Sequence, residues 1–349
     1  MSKRTVRLAL MNGLKLDVFV KEVLTANDLT STYSFIEDVK VPDVIVVGPY
    51  GANIPRPGPY LRVAYICENY RLDQGHCEYT FGVSRNAGNI ENYQCIQWHG
   101  FNPNELVKAP EVDAESILAE KTKFCNFLYS NPIGYREDIF KRISKYKRVD
   151  SPGRSMNNMP SIDDQARPGL SRWDIKRKFL RRYKFTLALE NDIFSGYQTE
   201  KLYDAMRASS VPVYVGDPQV TDLFDEQSFV CIWNSGETPY WISRLEEFSQ
   251  MRWSECQGSW RFTLDNKIKR KLRILARDTR HKWLMSKWAD ALVDAVVALD
   301  KDEEAYIHMM QRPWLRENKV PECSYSRDAW CEIFDQAIRD RAKRDNGVL

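Results

Sequence analysis

Nowhere does the sequence approach the roughly 20 uninterrupted apolar residues of a bilayer-spanning helix, and Met1-Ser2-Lys3-Arg4 leads only into a short apolar run at residues 6–10. A signal peptide or anchor is therefore not expected. None of the eight cysteines forms a Cys-x-x-Cys pair, and no histidine stands at zinc-finger spacing, which argues against a structural metal. Cys67, Cys125 and Cys231 lie within apolar runs and read as buried thiols of a reducing compartment, whereas Cys323 and Cys331 are the pair to join in a secreted protein. The only Asp-x-Asp, Asp300-Lys301-Asp302, lies in a charged helical segment and reads as a solvated face. Internal repeats and low-complexity tracts are absent, which excludes solenoids and disordered arrays.

What is present is enough chain for two domains: 349 residues, 43% of them apolar. A net charge of only +3 conceals two basic clusters, between Lys141 and Lys184 and between Lys267 and Lys282, which suit an anionic partner. In the first third, short apolar runs at residues 6–11, 44–47, 61–67 and 79–83 alternate with amphipathic segments such as 17–24, the pattern of βα units. Prolines 103 and 110 and a charged stretch then separate this series from a second, which opens with a strand at 124–129 and a helix at 136–146. Residues 151–169, rich in Asn, Pro and Asp, have the composition of a mobile loop. From Asp265 onward the chain reads as mostly helical. The expected division is 1–115, 116–310 and a helical tail at 311–349. In such α/β sheets ligands bind beyond the carboxyl ends of strands, which directs attention to the residues after Cys67, Tyr129 and Leu189.

The clearest unit runs from Tyr183 to Gly216: strand, polar turn with Gly196, helix from Thr199, strand. Threonine is a good N-cap and Glu200 complements the helix dipole. Lys201 opposes that dipole at about 0.3–1 kcal/mol unless an anion accepts it, and the free N–H groups of the same helix end make a diphosphate the natural anion. A solvated lysine is the plainer alternative.

Tyr183-Lys184-Phe185, the strand to Glu190-Asn191, then Tyr197-Gln198-Thr199-Glu200-Lys201 and Val211-Pro212-Val213 with Gly216 resemble, in order and spacing, the signature of the α-1,3-fucosyltransferase family, glycosyltransferase family 10. The resemblance implies a GT-B fold of two Rossmann-like domains facing across a cleft, GDP-fucose as donor, no required cofactor or metal, and inversion at the fucose anomeric carbon. By position it assigns Asn191 and Tyr197 to the nucleotide, Glu200 to the ribose hydroxyls and Lys201 to the diphosphate. Ser130 and Asn131, with Arg136 in the following helix, resemble the family's Ser-Asn and phosphate-binding Arg. Arg154 ranks third.

On the same resemblance, Glu68 after the strand at 61–67 matches the family's catalytic Glu, with Cys67 where Gly is usual, and Glu78 stands in for an Asp. A carboxylate within reach of a sugar hydroxyl is what activates so poor a nucleophile. Trp98 and His99 are candidates to line the acceptor site, since sugars stack on aromatic faces. The implied reaction is transfer of L-fucose to a glycan hydroxyl, O3 of N-acetylglucosamine or glucose. Its rivals are a GT-B enzyme using another nucleotide sugar and a basic nucleic-acid-binding protein. The basic segments lack a stacking platform or groove-reading motif, so nucleic acid is not expected, and peripheral membrane association fits them better. The location expected is cytoplasmic or membrane-peripheral for a bacterial protein and the Golgi lumen for a truncated eukaryotic one.

Overall fold

The computed structural model describes residues 3–51, 53–72, 75–85, 88–96, 99–165, 169–231, 238–253, 255, 263–321 and 326–347. Its strands form two parallel sheets. The first holds β1 (Arg4–Met11), β2 (Tyr33–Glu37), β3 (Val44–Val47), β4 (Leu61–Ile66), β5 (Tyr79–Gly82) and β6 (Tyr93–Cys95) in the order β2-β1-β3-β4-β5-β6. The second holds β7 (Lys123–Asn126), β8 (Val149–Asp150), β9 (Tyr183–Leu189) and β10 (Val211–Val215) in the order β10-β9-β7-β8. All four residues of β3 and all five of β10 are buried, which is why these strands read as unbroken apolar runs rather than alternating ones.

The helices are α1 (Leu16–Phe19), α2 (Ala114–Ala119), α3 (Gly134–Ser144), α4 (Arg172–Arg181), α5 (Glu200–Arg207), α6 (Tyr240–Ser249), α7 (Leu264–Lys301), α8 (Glu303–Gln311) and α9 (Arg327–Asp345). The helix expected at 17–24 is α1 continued as a π-helical turn over Val20–Leu24. Met285, Trp288, Leu292 and Val296 of α7 join the core of the second sheet. Helix α9 instead returns to the first sheet. There Trp330 stacks on Phe81 at 4.4 Å, Phe334 packs beside Tyr33, and Arg341 donates to buried Asp43 at 2.6 Å. Burying a side chain such as Phe334 contributes about 1.5–3 kcal/mol, so this last helix is part of the first domain's core.

Two expectations are corrected. The start of the supposed mobile loop is pinned: the Asn158 side chain accepts from Ser151 N and donates to Val149 O, both at 2.8 Å, and Ser155 Oγ donates to Glu137. Its polar residues satisfy backbone groups that a loop of this shape would otherwise leave open. Asp300 is not solvated either, because its nearly buried carboxylate pairs with Lys184 at 3.0 Å and Lys147 at 3.2 Å. The suggested partner of Cys331, Cys323, lies outside the described residues. No helix among those described is long and apolar enough to cross a membrane.

Candidate active site

The loops at the carboxyl ends of both sheets face a cleft of about 800 Å³. Glu68 and His99 line it from the first domain; Ser130, Asn131, Arg136, Asn191, Tyr197, Glu200 and Lys201 line it from the second. Arg154 does not. It is exposed on the loop after β8, whose neighbour Ser155 bonds Tyr129 O at 3.0 Å. Trp98 lies outside the described residues. The cleft is held together in part by Gly196, at φ +88°, where a Cβ would meet the Arg85 amide nitrogen of the first domain at 2.7 Å. Only glycine permits both that backbone conformation and that approach. Arg85 itself reaches across to Asp222 at 2.6 Å.

Arg136 opens no ordinary surface helix turn. It is 1% exposed, with Nε donating to Glu190 O at 3.0 Å, a terminal nitrogen donating to Asn191 Oδ1 at 2.5 Å, and the guanidinium 4.3 Å from the Tyr129 ring centre. Among the described residues no carboxylate lies within ion-pair distance of it. A guanidinium withdrawn from water without a counter-charge is unfavourable, and an anion in the cleft would remove that cost.

Lys201 is arranged differently. Its Nζ lies 3.2 Å from Glu190, whose side chain is fully buried, and 3.6 Å from Glu200, and it donates to Thr199 Oγ1 at 2.8 Å. It is therefore neither an exposed nor a solvated lysine, and its charge is already balanced inside the protein. Burial works against the ammonium, but Glu190 and Glu200 outweigh it and raise its pKa above the ordinary value. Thr199 occupies the N-cap position of α5, yet its hydroxyl donates to Glu190 at 2.8 Å instead of capping. The first-turn N–H groups thus keep no side-chain cap, as an anion site requires. Burial disfavours ionisation of Glu200, while Lys201 and Lys176 overcome it and hold the carboxyl down at about 2. Tyr197 is 2% exposed and stacks on Phe194 at 4.8 Å.

On the opposite wall, Glu68 follows β4 and accepts a hydrogen bond from Tyr50 Oη. Burial and the carboxylate raise the pKa of that phenol, so it remains a donor. Tyr50 is placed by the turn after β1: its N–H bonds Asn12 O at 3.0 Å, and its ring packs on Gly13, at φ +92°, where a Cβ would lie 2.8 Å from it. The turn signals Asn12-Gly13 and Gly48-Pro49-Tyr50-Gly51, both at strand ends, could have pointed to this residue. Burial pushes the Cys67 thiol up to about 12, leaving it protonated beside Glu68. Glu78 sits at the opposite end of the strands, before β5, where Arg62 grips it through a 2.6 Å ion pair and a backbone bond at 2.8 Å. It is therefore no substitute for Glu68. His99 Nδ1 lies 3.1 Å from Tyr65 Oη. A further carboxyl facing the cleft, Glu22 in the π-helical turn, is raised above its ordinary pKa by burial.

Residues 118–250, from the end of α2 to the residue after α6, match the family model for glycosyltransferase family 10 (fucosyltransferase), C-terminal part. The match lies within the second domain. Among relatives, a protein of Acanthamoeba polyphaga mimivirus provisionally named fucosyltransferase R654 is 39% identical over 105 residues, 30% of this chain and 18% of its own length. The alpha-(1,3)-fucosyltransferase FucT of Helicobacter pylori is 32% identical over 113 residues, 32% of this chain and 21% of its own. GDP-fucose protein O-fucosyltransferase 3 of Bos taurus is 34% identical over 92 residues, 26% and 19%. The chain thus spans about a fifth of each of these relatives. A crystal structure of an alpha1,3-fucosyltransferase with GDP superposes with a TM-score of 0.63 at 19% identity, covering 97% of this chain and 91% of that one. The fold is GT-B, two Rossmann-like domains across a cleft, and the matched stretch supplies its second wall.

Proposed function

We propose that the protein transfers L-fucose from GDP-fucose to a hydroxyl of a glycan acceptor, with inversion. The second domain binds the donor and the first presents the acceptor. The acceptor oxygen attacks the fucose anomeric carbon while the bond from that carbon to the diphosphate oxygen breaks. The bonding electron pair leaves with GDP, and the acceptor proton passes to Glu68, which Tyr50 orients. Arg136, Lys201 and the N-terminus of α5 stabilise the departing diphosphate by charge already in place, while Ser130 and Asn131 flank it. Asn191 and Tyr197 hold the nucleotide and Glu200 the ribose. His99 flanks the acceptor, taken as O3 of N-acetylglucosamine or glucose. The donor chemistry calls for no metal.

The observation that carries this reading is Arg136, a buried cation with no carboxylate in ion-pair contact among the described residues, which lines a cleft with Glu68 on the opposite wall. A protein hydroxyl is the second acceptor class, because some relatives are named protein O-fucosyltransferases. The test is a transfer assay with GDP-fucose, other GDP-sugars and UDP-sugars against short oligosaccharides and folded protein domains. Release of GDP with formation of a fucosylated oligosaccharide is expected. Turnover of a different nucleotide sugar, with none of GDP-fucose, would overturn the donor; modification of protein alone would move the acceptor to the second class.

A further inference from the structure

Along its first turns helix α7 turns a mostly polar face inward and leaves an apolar one outside. Asn266, Arg273, Ala276 and Arg280 face the protein and are buried. Leu264, Ile268, Leu272 and Leu275 recur at steps of four, four and three residues, so they share another face of the same helix. They are 71%, 49%, 49% and 64% exposed. The adjoining helix α6 adds Tyr240, Trp241 and Phe248, also exposed, and Trp241 meets Trp283 of α7 edge-on at 6.1 Å. Half of the strongly exposed large apolar side chains among the described residues lie on these two helices. Such side chains scattered singly need no explanation, but a continuous stripe does.

We propose that this outer face of α6 and the first three turns of α7 docks the protein on an anionic membrane surface. The charge pattern selects that occupant. Lys267, Lys269 and Lys271 are exposed beside the stripe, and none pairs with a carboxylate among the described residues, whereas the nearby Asp278 is paired with Arg277. Asp265 is the single exposed acid among these turns. A face covered by another protein is generally depleted in lysine, while a helix lying in a bilayer interface combines a leucine-rich stripe, flanking lysines and bordering tryptophan or tyrosine. The face is also rigidly tied to the cleft. Further along α7, Arg280 and His281 hold Asp192 and Ile193, the residues after Asn191, and the chain beyond α6 bonds Arg71, three residues after Glu68. A membrane engaged there fixes the height of the cleft above the lipid, which suits acceptors carried at a membrane surface.

The test is sedimentation of the full chain with vesicles of phosphatidylcholine alone and with phosphatidylglycerol added. Binding is expected only with the anionic lipid and is expected to weaken as salt rises. Lys267→Glu combined with Lys271→Glu should reduce partitioning by about 30-fold or more. Ile268→Asp combined with Leu272→Asp should abolish it, while GDP binding and melting temperature stay at the parent values and show that both variants fold. Failure to bind anionic vesicles, or binding that neither pair of substitutions changes, would overturn the proposal. So would a lipid-free dimer, seen by light scattering, that the Ile268→Asp, Leu272→Asp variant splits, because a second copy would then be what covers the face.

Discussion

The Lys201 ammonium lies 3.2 Å from the carboxylate of Glu190, a side chain wholly withdrawn from solvent. Glu190 spends its other acceptor capacity on the Thr199 amide, at 2.7 Å, and hydroxyl. The pair therefore fixes the start of α5 and the geometry of the cleft together.

Lys201→Ala should consequently harm the fold as well as the site. It leaves Glu190 buried without its cation, a change that costs about 3 kcal/mol. Equilibrium denaturation should show that loss, and Lys201→Ala with Glu190→Gln should recover part of it without recovering turnover. A single variant as stable as the parent would mean that the pair contributes nothing to folding.

Arg136 should behave in the opposite sense. It is in ion-pair contact with no carboxylate among the described residues, so Arg136→Met is expected to keep or raise the melting temperature, since Tyr135 Oη still donates to Glu190 O. Binding of GDP should weaken by about 100-fold, the scale of losing a preorganised donor to a charged group. Calorimetric titration with GDP checks this, and undiminished affinity would detach Arg136 from the diphosphate.

Much of this arrangement is legible in the residues themselves. Unbroken runs such as Val44–Val47 and Val211–Val215 announce buried parallel strands, and the 183–216 signature locates one wall of the cleft, because both are local patterns. Strand β2 escapes notice because Tyr33–Glu37 is a short edge segment whose burial fades from Tyr33 to Glu37. The destination of α9 has no local signal at all, since its partners Phe81 and Tyr33 lie some 250–300 positions earlier in the chain. Thr199 reads as an N-cap from its neighbours alone, but a carboxylate nine residues earlier takes its hydroxyl in the fold. The pairing of Lys201 with Glu190 and the support of Glu68 by Tyr50 are likewise tertiary facts.

Acid stability should report on Glu200. Its carboxyl is held near 2 in the fold against an ordinary value of 4.5, so the unfolded chain binds more protons between those limits. Its contribution is present in full above pH 4.5 and is lost as pH falls toward 2. Glu200→Gln should flatten the fall of stability across that window relative to the parent. Identical slopes for the two proteins would remove Glu200 from the charge cluster around Lys201.

Glu68 and Tyr50 provide the sharpest test of the proposed mechanism, because they belong to the domain opposite Arg136 and Lys201. Glu68→Gln keeps the size of the side chain and much of its hydrogen-bonding shape but cannot take a proton at neutral pH. The loss in kcat should be about 10²- to 10⁴-fold, the usual contribution of a general base. Tyr50→Phe removes only the donor that orients the carboxylate, and a hydrogen bond to a charged group contributes about 1.5–3 kcal/mol, so kcat should fall by about tenfold or more. Affinity for GDP should be unchanged in both variants, since Arg136, Lys201 and α5 all belong to the second domain. The double variant should be no slower than Glu68→Gln alone, because Tyr50 acts through Glu68. If the two losses instead multiply, Tyr50 has a role of its own at the acceptor, and if folded Glu68→Gln turns over normally, the base is another group in the cleft, with Glu22 the next carboxyl to replace.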